Sequence, residues 1–564
     1  MATFKSNLNP MFRSKFSEDI FNQKYRHEGA ETWAALAKTL VDDVMSAAGD
    51  LVSKEDKDAL EGYIRELKFI PGGRYLYYAG RPNKFFNNCY LLRAEEDSRE
   101  DWANLSWKAE SCLMTGGGIG VDYSVYRAEG SPIQRTGGQA SGPVPKMNMI
   151  NEIGRRVMQG GSRRSAIYAS LNWKHGDVDK FLKAKDWADM PVGNTGKSLW
   201  DIKQDDFNFP APLDMTNISV NYDTEWLLKY WQTGEPGKVF EENVRQALKT
   251  AEPGFSFNFF DKERETLRNA CTEVTSEDDS DVCNLGSINF GRVESIDELR
   301  DIVRLATMFL ICGTLKAKLP YGKVYETREK NRRLGLGFMG VHEWLIKRGY
   351  AYEVTPELHQ WLSVYKGVSD DVSKSFADKL SISRPVANRA IAPTGSIGIL
   401  AGTSTGIEPI FAVAYKRRYL KGKDRWAYQY VVDSAAQELI DFYGADPESV
   451  ESALDLADNY ERRIKFQADV QDYVDMSISS TINLPAWGTK LNNEDTVKDF
   501  AKTLASYAHR LRGFTCYPDG ARGGQPLTSV PYSEAVTKLG EEFYEHVETH
   551  DICDISGTGG SCGV

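Results

Sequence analysis

From about residue 70 to about residue 512 the chain repeats one texture. Glycine-rich turns and short apolar segments (PGGRYLYYAG, TGGGIGVDYS, RTGGQASGP) alternate with amphipathic helices (NEIGRRVMQG, VFEENVRQALKTA, SIDELRDIVRLATMFLICGTL, DTVKDFAKTLASYAHRLRG). Short apolar runs between helical patterns predict strands covered by helices, an α/β architecture. Residues 17–70 read differently: SEDIFNQKY opens on a Ser cap, and ETWAALAKTLVDDVMSAAG carries helical apolar spacing with a Gly stop. After Val530 the pattern predicts one more helix, YSEAVTKLGEEFYEHVE. The final DICDISGTGGSCGV is too rich in Gly and Ser to pack a core and is expected to be mobile.

The 564 residues allow three or four domains, or one large barrel with appendages. Hydrophobic residues make up 41% and charged residues 26%, enough to bury a core under a solvated surface. The net charge of −11 argues against a nucleic-acid groove as the main surface. The longest apolar run, Leu305 to Leu315, is too short to span a membrane and reads as a buried helix. The N-terminal MATFKSNLNPMFRSKFSEDIF lacks the apolar core of a secretory signal. A cytoplasmic location is expected, where thiols stay reduced. Cysteines 89, 112, 271, 283, 312, 516, 553 and 562 are then candidates for catalysis, metal binding or burial, not structural bridges.

Four motifs admit a functional and a plain reading. His546 and His550, with Cys553 and Cys562 behind them, could hold zinc or be two exposed histidines; no CxxC or HExxH pair exists elsewhere. Gly335, Gly337 and Gly340 spell GxGxxG, but the charged, helix-like YETREKNRR precedes them where a nucleotide fold needs a strand; glycines for close backbone packing is the favoured reading. Ala392 to Gly398 (APTGSIG) is an ordinary loop or a turn presenting free N–H groups to phosphate. Thr115 to Gly120 (TGGGIG) lacks the Lys-Ser/Thr ending of a P-loop and reads as a bend or a ligand-adjacent turn.

The stretch RNACTEVTSEDDSDVCNLGSIN, residues 268–289, is the oddest. In an extended segment Asn269, Cys271 and Glu273 would share one face. A carboxylate beside a thiol opposes thiolate formation, and a conventional nucleophile would want a histidine; His175 and His342 are the nearest in sequence. The trio suits sulfur reacting as a neutral radical while the carboxylate takes a proton. The alternative is a strand end with a half-buried cysteine.

N-A-C-T-E followed by D-V-C-N-L-G-S-I-N resembles the finger loop and second redox cysteine of the ribonucleotide reductase catalytic subunit. FNNCYLL around Cys89 resembles the first redox cysteine. TGGGIGVDYSVYRAEGS, QGGSRRSA, TNISV, NRRLGLGFMGVHEW, APTGSIGILAGTSTGIEPIFAVAYKRR and GFTCYPDGARGGQPL have family counterparts in the same order. The resemblance implies a ten-stranded α/β barrel with a central finger loop (71–530), a helical N-terminal domain (1–70), and a helix with a flexible redox-active tail (531–564).

It further implies that Cys271 carries a thiyl radical, that Glu273 accepts the 3′-hydroxyl proton, and that Asn269 positions the sugar. Cys89 and Cys283 would supply the reducing equivalents, and Cys553 and Cys562 would restore them by thiol exchange with thioredoxin or glutaredoxin. Pro393, Thr394, Gly395, Ser396 and Ile397 would cradle the phosphates of a ribonucleotide, with Asn88, Gly116, Gly117 and Gly118 beside it. Asn151, standing where an Asp is expected, and Arg163 and Arg164 would bind a dNTP or ATP effector. A second specificity loop would precede Thr216. A homodimer is the family expectation, with no membrane or nucleic-acid partner and no metal held by the chain.

Too few residues precede the helical region for an ATP-cone, so on/off control by dATP is not expected. The Cys-x8-Cys tail spacing is wider than usual. Only Tyr517, preceded by Cys516, stands where relatives that receive their radical from a ferritin-like subunit have two tyrosines. That favours adenosylcobalamin slightly over a separate metal-containing radical-generating subunit. The short chain and the missing CxxC tail point toward compact phage-type subunits. A catalytically silent nucleotide-binding regulator and a glycyl-radical enzyme on the same barrel are the rival readings.

Overall fold

The computed structural model describes residues 11–157, 165–206, 209–421, 425–521, 527–539 and 541–546. Five strands, β1 (Cys89–Arg93), β2 (Gly118–Asp122), β3 (Ile167–Asn172), β4 (Thr216–Tyr222) and β5 (Gly254–Phe257), lie side by side in that order, all parallel. Parallel neighbours need crossovers, supplied by helices such as Arg99–Met114, Pro143–Arg156 and Lys238–Thr250. With helices outside and side chains inside, these strands are buried almost throughout, hence their near-continuous apolar sequences.

A second parallel set follows. β6 (Asp281–Asn289) pairs with β7 (Leu334–Met339), and β8 (Thr481–Leu484) pairs with β9 (Gly513–Pro518). Between them runs segment 389–391, joined to β7 by the parallel bridge Leu336–Arg389 and to the approach of β8 by Ile391–Ile478. The two sets meet antiparallel at both seams: Cys89–Leu91 against Asp281–Cys283, and Phe255–Ser256 against Gly513–Phe514. Ten staves therefore close into a barrel, five running each way. An extra strand, Phe69–Pro71, pairs antiparallel with the far end of β6 and ties on the N-terminal helices.

Those helices are Lys15–Lys24, Trp33–Met45 and Lys54–Arg65, capped by Ser14, Thr32 and Ser53. The first begins slightly earlier than expected, since Ser14 and not Ser17 caps it. Trp33, Leu36, Leu40 and Val44 are buried in one core with the helix Ile296–Lys316, which contains the apolar run 305–315. Among the described residues no helix is long and apolar enough to cross a membrane.

One expectation changes, and the close-packing reading of the GxGxxG glycines holds. The helix over YSEAVTKLGEEFYEHVE is only Tyr532–Thr537; Glu542–His546 is a strand on the edge of the hairpin Ala414–Lys421/Arg425–Val432. An aromatic-rich segment met an open sheet edge, and tertiary pairing overrode helical spacing. The GxGxxG glycines lie in and just after β7, with Gly340 at the cap of the helix Val341–Lys347. A Cβ on Gly337 would sit 2.4 Å from the Ala390 carbonyl oxygen, so that glycine serves close packing of staves.

Gly120 on β2 is the tightest such position near the barrel interior: an added Cβ would lie 1.7 Å from the carbonyl oxygen of Arg268. Backbone must move to admit even a methyl group. Gly120→Ala is expected to lower stability by about 1–3 kcal/mol, as overpacking does, and to displace segment 268–276. Denaturant unfolding of the two proteins measures this; equal midpoints would refute the close approach.

Candidate active site

A short hairpin, Leu267–Arg268 paired with Thr275–Ser276, projects over β1 and β2 inside the barrel. Its base is fixed by charge. Arg268, wholly buried, donates to Asn258 Oδ1 (2.7 Å) and to the carbonyl oxygens of Arg512 (3.0 Å) and Glu265 (2.5 Å). Glu265 in turn pairs with Arg512 (3.0 Å) and accepts from Thr275 Oγ1 (2.8 Å). Burial and the neighbouring Arg512 pull the Arg268 pKa down to about 9.

The tip is a tight turn. The extended segment expected for 269–273 is replaced by a bend in which Thr272 takes a left-handed conformation (φ 72°), and its N–H donates to the Asn269 carbonyl (3.0 Å). A β-branched residue there is strained, so the surrounding contacts must hold it. Asn269 does part of this: its Oδ1 accepts from the Val274 N–H (2.9 Å), and its Nδ2 donates to Cys89 Sγ (2.9 Å). Ser477 N–H holds the Glu273 carbonyl (2.8 Å). The turn, not strand alternation, gathers Asn269, Cys271 and Glu273.

Cys89 and Cys283 face each other across the antiparallel seam as direct ladder partners. Such partners have Cα atoms about 4.5–5.5 Å apart, within the span of a disulfide, about 4.4–6.8 Å. Both are buried free thiols, as is Cys271. Burial first, then the Glu273 carboxylate, push Cys89 and Cys283 well above the ordinary thiol range. Burial raises Glu273 from 4.5 to about 7, only partly offset by Asn269 and its own backbone N–H. Neither Glu273 oxygen has a full hydrogen-bond partner within the protein. The site therefore holds neutral thiols around a carboxyl poised near neutrality, suited to hydrogen-atom and proton transfer and unsuited to thiolate attack. Neither histidine nearest in sequence assists: His175 bonds the Tyr126 carbonyl, and His342, pushed down to about 3 by burial, accepts from Ile410 N–H.

Cys271 lines a cavity with Tyr168, Asn217, Gly254, Ser479 and Tyr517. Strand alternation on β9 turns Cys516 outward, where its thiol donates to the Ala247 carbonyl (3.6 Å), while Tyr517 lines the cavity. Asn88 is buried beside Cys89 with its Oδ1 unpaired and its carbonyl accepting from Gly118 N–H (2.8 Å). Gly116 (φ 89°) faces the Arg74 guanidinium, Gly117 abuts the Tyr90 ring, and Gly118 touches Ala270 of the finger. Thr394 (φ 52°) turns Pro393 into the short helix Gly395–Ala401, its Oγ1 accepting from Gly406 N–H (2.8 Å); Ser396 and Ile397 are buried in that helix.

Asn151 stands apart on the Pro143–Arg156 helix. Its Oδ1 accepts from Met215 N–H (2.9 Å) and Thr216 Oγ1 (2.8 Å), and its Nδ2 donates to Asp214 (3.0 Å). Arg163, Arg164, His550, Cys553 and Cys562 lie outside the described residues. No group of three or more metal-ligating side chains occurs among the described residues. Sequence reasoning missed Arg268, Glu265, Arg512 and Ser477; only the position of Arg268 directly before the finger hinted at a role.

A family model for the ribonucleotide reductase barrel domain matches residues 87–200, 223–359 and 386–517, well over half the chain. The chain belongs to the ribonucleotide reductase family. Vitamin B12-dependent ribonucleoside-diphosphate reductases from Mycobacterium tuberculosis and Thermoplasma acidophilum are each 28% identical. The first alignment covers 85% of this chain and 74% of the relative, the second 86% and 67%. The alpha subunit of the Actinobacillus ureae class Id ribonucleotide reductase has the same fold, with a TM-score of 0.70 at 17% identity over 90% of this chain and 97% of that one.

The buried carboxyl gives this reductase barrel a pH signature. A carboxyl whose pKa is raised on folding binds its proton more tightly in the native state, so stability falls as pH rises from about 4.5 to about 7. Glu273→Gln removes that slope. Relative to the variant, the wild type is expected to lose roughly 3 kcal/mol across this window. Urea unfolding at pH 4.5 and 8 tests it; parallel stabilities at both values would contradict the buried, unpaired carboxyl.

Proposed function

We propose that the chain is the catalytic subunit of a ribonucleotide reductase that converts ribonucleoside diphosphates to 2′-deoxyribonucleotides by thiyl-radical chemistry. The observation that carries this is the Cys89–Cys283 ladder pair beside the finger holding Asn269, Cys271 and Glu273. In the proposed reaction the Cys271 sulfur radical takes the 3′ hydrogen atom. Glu273 accepts the 3′-hydroxyl proton while Asn269 orients the sugar. The 2′-hydroxyl leaves as water with a proton from the redox pair. Cys89 and Cys283 give up two electrons and two protons in all, one proton leaving in the water and the other ending as hydrogen on C2′, and become a disulfide; Glu273 returns its proton to the 3′ oxygen, and Cys271 returns its hydrogen atom to C3′. A silent regulator would have no use for this intact set. A glycyl-radical enzyme would need a glycine loop, for which the 557–563 glycines are weak candidates because cysteines flank them.

Pro393 to Ile397 cradle the phosphates, and Asn88 and Gly116 to Gly118 border the nucleotide. Cys553 and Cys562 pass electrons from thioredoxin or glutaredoxin to the Cys89–Cys283 pair. Arg163 and Arg164 contact a dNTP or ATP effector in a homodimer located in the cytoplasm. Asn151, committed at the entrance of β4, transmits effector binding to the preceding loop.

Adenosylcobalamin is the proposed radical source, as the names of the 28% identical relatives suggest. The cavity at Cys271 is lined in part by small residues, Ser219, Ala251, Gly254, Ala270 and Ser479, and this is the side from which such a cofactor would approach. When bound, the cofactor supplies an organic radical able to take the thiol hydrogen. Tyr517 in the same cavity supports a second reading, in which it relays a radical from a ferritin-like subunit.

Purified protein with dithiothreitol and an effector is expected to reduce CDP only when adenosylcobalamin is added, and CTP more slowly. Silence with the cofactor but activity with a metal-containing partner would transfer the role to Tyr517. Cys271→Ser is expected to abolish turnover, a fall of at least 10³-fold, with CDP binding retained. Reduction by that variant would refute the mechanism.

A further inference from the structure

Strand β4 sends alternate side chains to opposite sides. Ile218, Val220 and Tyr222 enter the core beneath the outer helices, while Asn217 and Ser219 line the cavity at Cys271. Asn217 makes one contact that plays no part in the proposed reaction: its Nδ2 donates to the carbonyl oxygen of Ala270 (3.3 Å), the residue just before Cys271. Asn217 is itself well fixed. Its backbone pairs in register with Tyr168 of β3. Beside it, the Thr216 hydroxyl donates to Asn151 Oδ1 (2.8 Å) and the Thr216 carbonyl accepts from Lys185 (2.8 Å).

The finger tip is a four-residue turn closed by the Thr272 N–H on the Asn269 carbonyl (3.0 Å), so Ala270 and Cys271 are its two central residues. The two common turn types differ by a flip of the peptide between those residues, and the flipped form, type II, demands a positive φ at the second of them. Cys271 does not have one. Because a peptide unit is a rigid plane, whatever holds the Ala270 carbonyl oxygen also sets the φ of Cys271, and with it the direction in which the sulfur leaves the backbone. Gly118 makes room for the Ala270 methyl, and Ser477 holds Glu273. The hydrogen bond from Asn217 acts on the central peptide itself.

We propose that Asn217 is a positioning residue for the Cys271 thiol: its amide holds the Ala270–Cys271 peptide in the unflipped orientation that turns the sulfur into the cavity. The inference rests on the reading of Cys271 as the reacting sulfur and adds how the finger aims it. Hydrogen-atom transfer demands a close, aligned approach. The strained φ of Thr272 gives the turn a reason to relax once an anchor is lost. An amide suits the task, since it donates without bringing a charge to a cluster of neutral thiols.

Hydrogen exchange of the full chain, read by mass spectrometry on peptides spanning 268–276, compares wild type with Asn217→Asp and Asn217→Ala, alongside CDP reduction. Asp keeps the shape of the amide and loses the donor; Ala removes both. The expected result is exchange of the finger amides faster by about five- to tenfold in both variants, in keeping with the loss of one hydrogen bond, and unchanged exchange in β3 and β4. The kcat for CDP should fall about tenfold at constant KM, as for a group that acts on the reacting geometry and not on substrate binding. Unchanged exchange in the finger, or faster exchange spread through β3 and β4, overturns the anchor. A loosened finger with full kcat overturns the positioning role and leaves the reductase reading standing. A raised KM at constant kcat makes Asn217 a substrate contact and overturns it as well. If the wild type reduces no ribonucleotide with either radical source, the reductase reading itself fails and takes the inference with it.

Discussion

The approach of the Arg268 carbonyl to Gly120 sets the depth at which the finger sits in the barrel. A β-barrel interior this size would ordinarily fill with side chains. Here one stave gives up its side chains at Gly118 and Gly120, and the finger takes their place, with the Ala270 methyl against the first and the Arg268 backbone carbonyl against the second. Everything chemical hangs from that substitution. The finger is held at its base by the Arg268, Glu265 and Arg512 network and at its tip by Asn269 and Ser477. Its strained Thr272 turn persists because both ends are fixed.

The second determinant is the reversal of strand direction at the seam between the two half-barrels. Within either half, neighbouring strands are parallel and joined by helices, so sequence neighbours lie at the same barrel end. Across the seam, Cys89 and Cys283 become ladder partners although 194 positions separate them in the chain. No local motif could place these two thiols side by side; only the closure of the barrel does. The same closure depends on segment 389–391, whose single bridges to its neighbours are reinforced by Arg389 bonding to Asp370 and the Tyr473 carbonyl. That segment leads directly into Pro393, so this stave of the ring is also the one that carries the proposed phosphate loop.

Much of the architecture was legible in the sequence because burial wrote it there. Strands enclosed by helices read as apolar runs, and Gly337 was expected to serve close backbone packing, whereas Gly118 and Gly120, expected in a bend or a ligand-adjacent turn, lie in β2. The family resemblance supplied the barrel, and the barrel placed Cys89, Cys271, Glu273 and Cys283 together. What was not legible depended on long-range partners. The turn at Thr272 cannot be read from NACTE, since alternation suggested a strand. The strand Glu542–His546 exists because an edge was available, and its helical spacing gave the opposite answer. The base network of the finger joins residues from 258 to 512, none conspicuous in its own segment. Asn151, whose position suggested ligand contact, also bonds Asp214, Met215 and Thr216, partners that its own segment does not reveal.

The electrostatics of the cluster follow from burial alone and then reinforce themselves. Two of its thiols, Cys89 and Cys283, and its carboxyl all lose solvation, so each prefers its neutral form. If Glu273 ionises, it raises the cost of ionising Cys89 and Cys283 further, so at most one negative charge is stable in the space. Asn269 has donors for either sulfur or carboxylate, and in the substrate-free protein it spends one on Cys89. A sugar hydroxyl entering this space would meet Glu273 as its available acceptor, because the thiols are held protonated and the amide oxygen is committed to Val274. In the proposed reaction, proton acceptance would then fall to the carboxyl, and hydrogen atoms and electrons would be exchanged at the sulfurs. Such a division of labour would need no histidine, in keeping with His175 and His342 being engaged elsewhere.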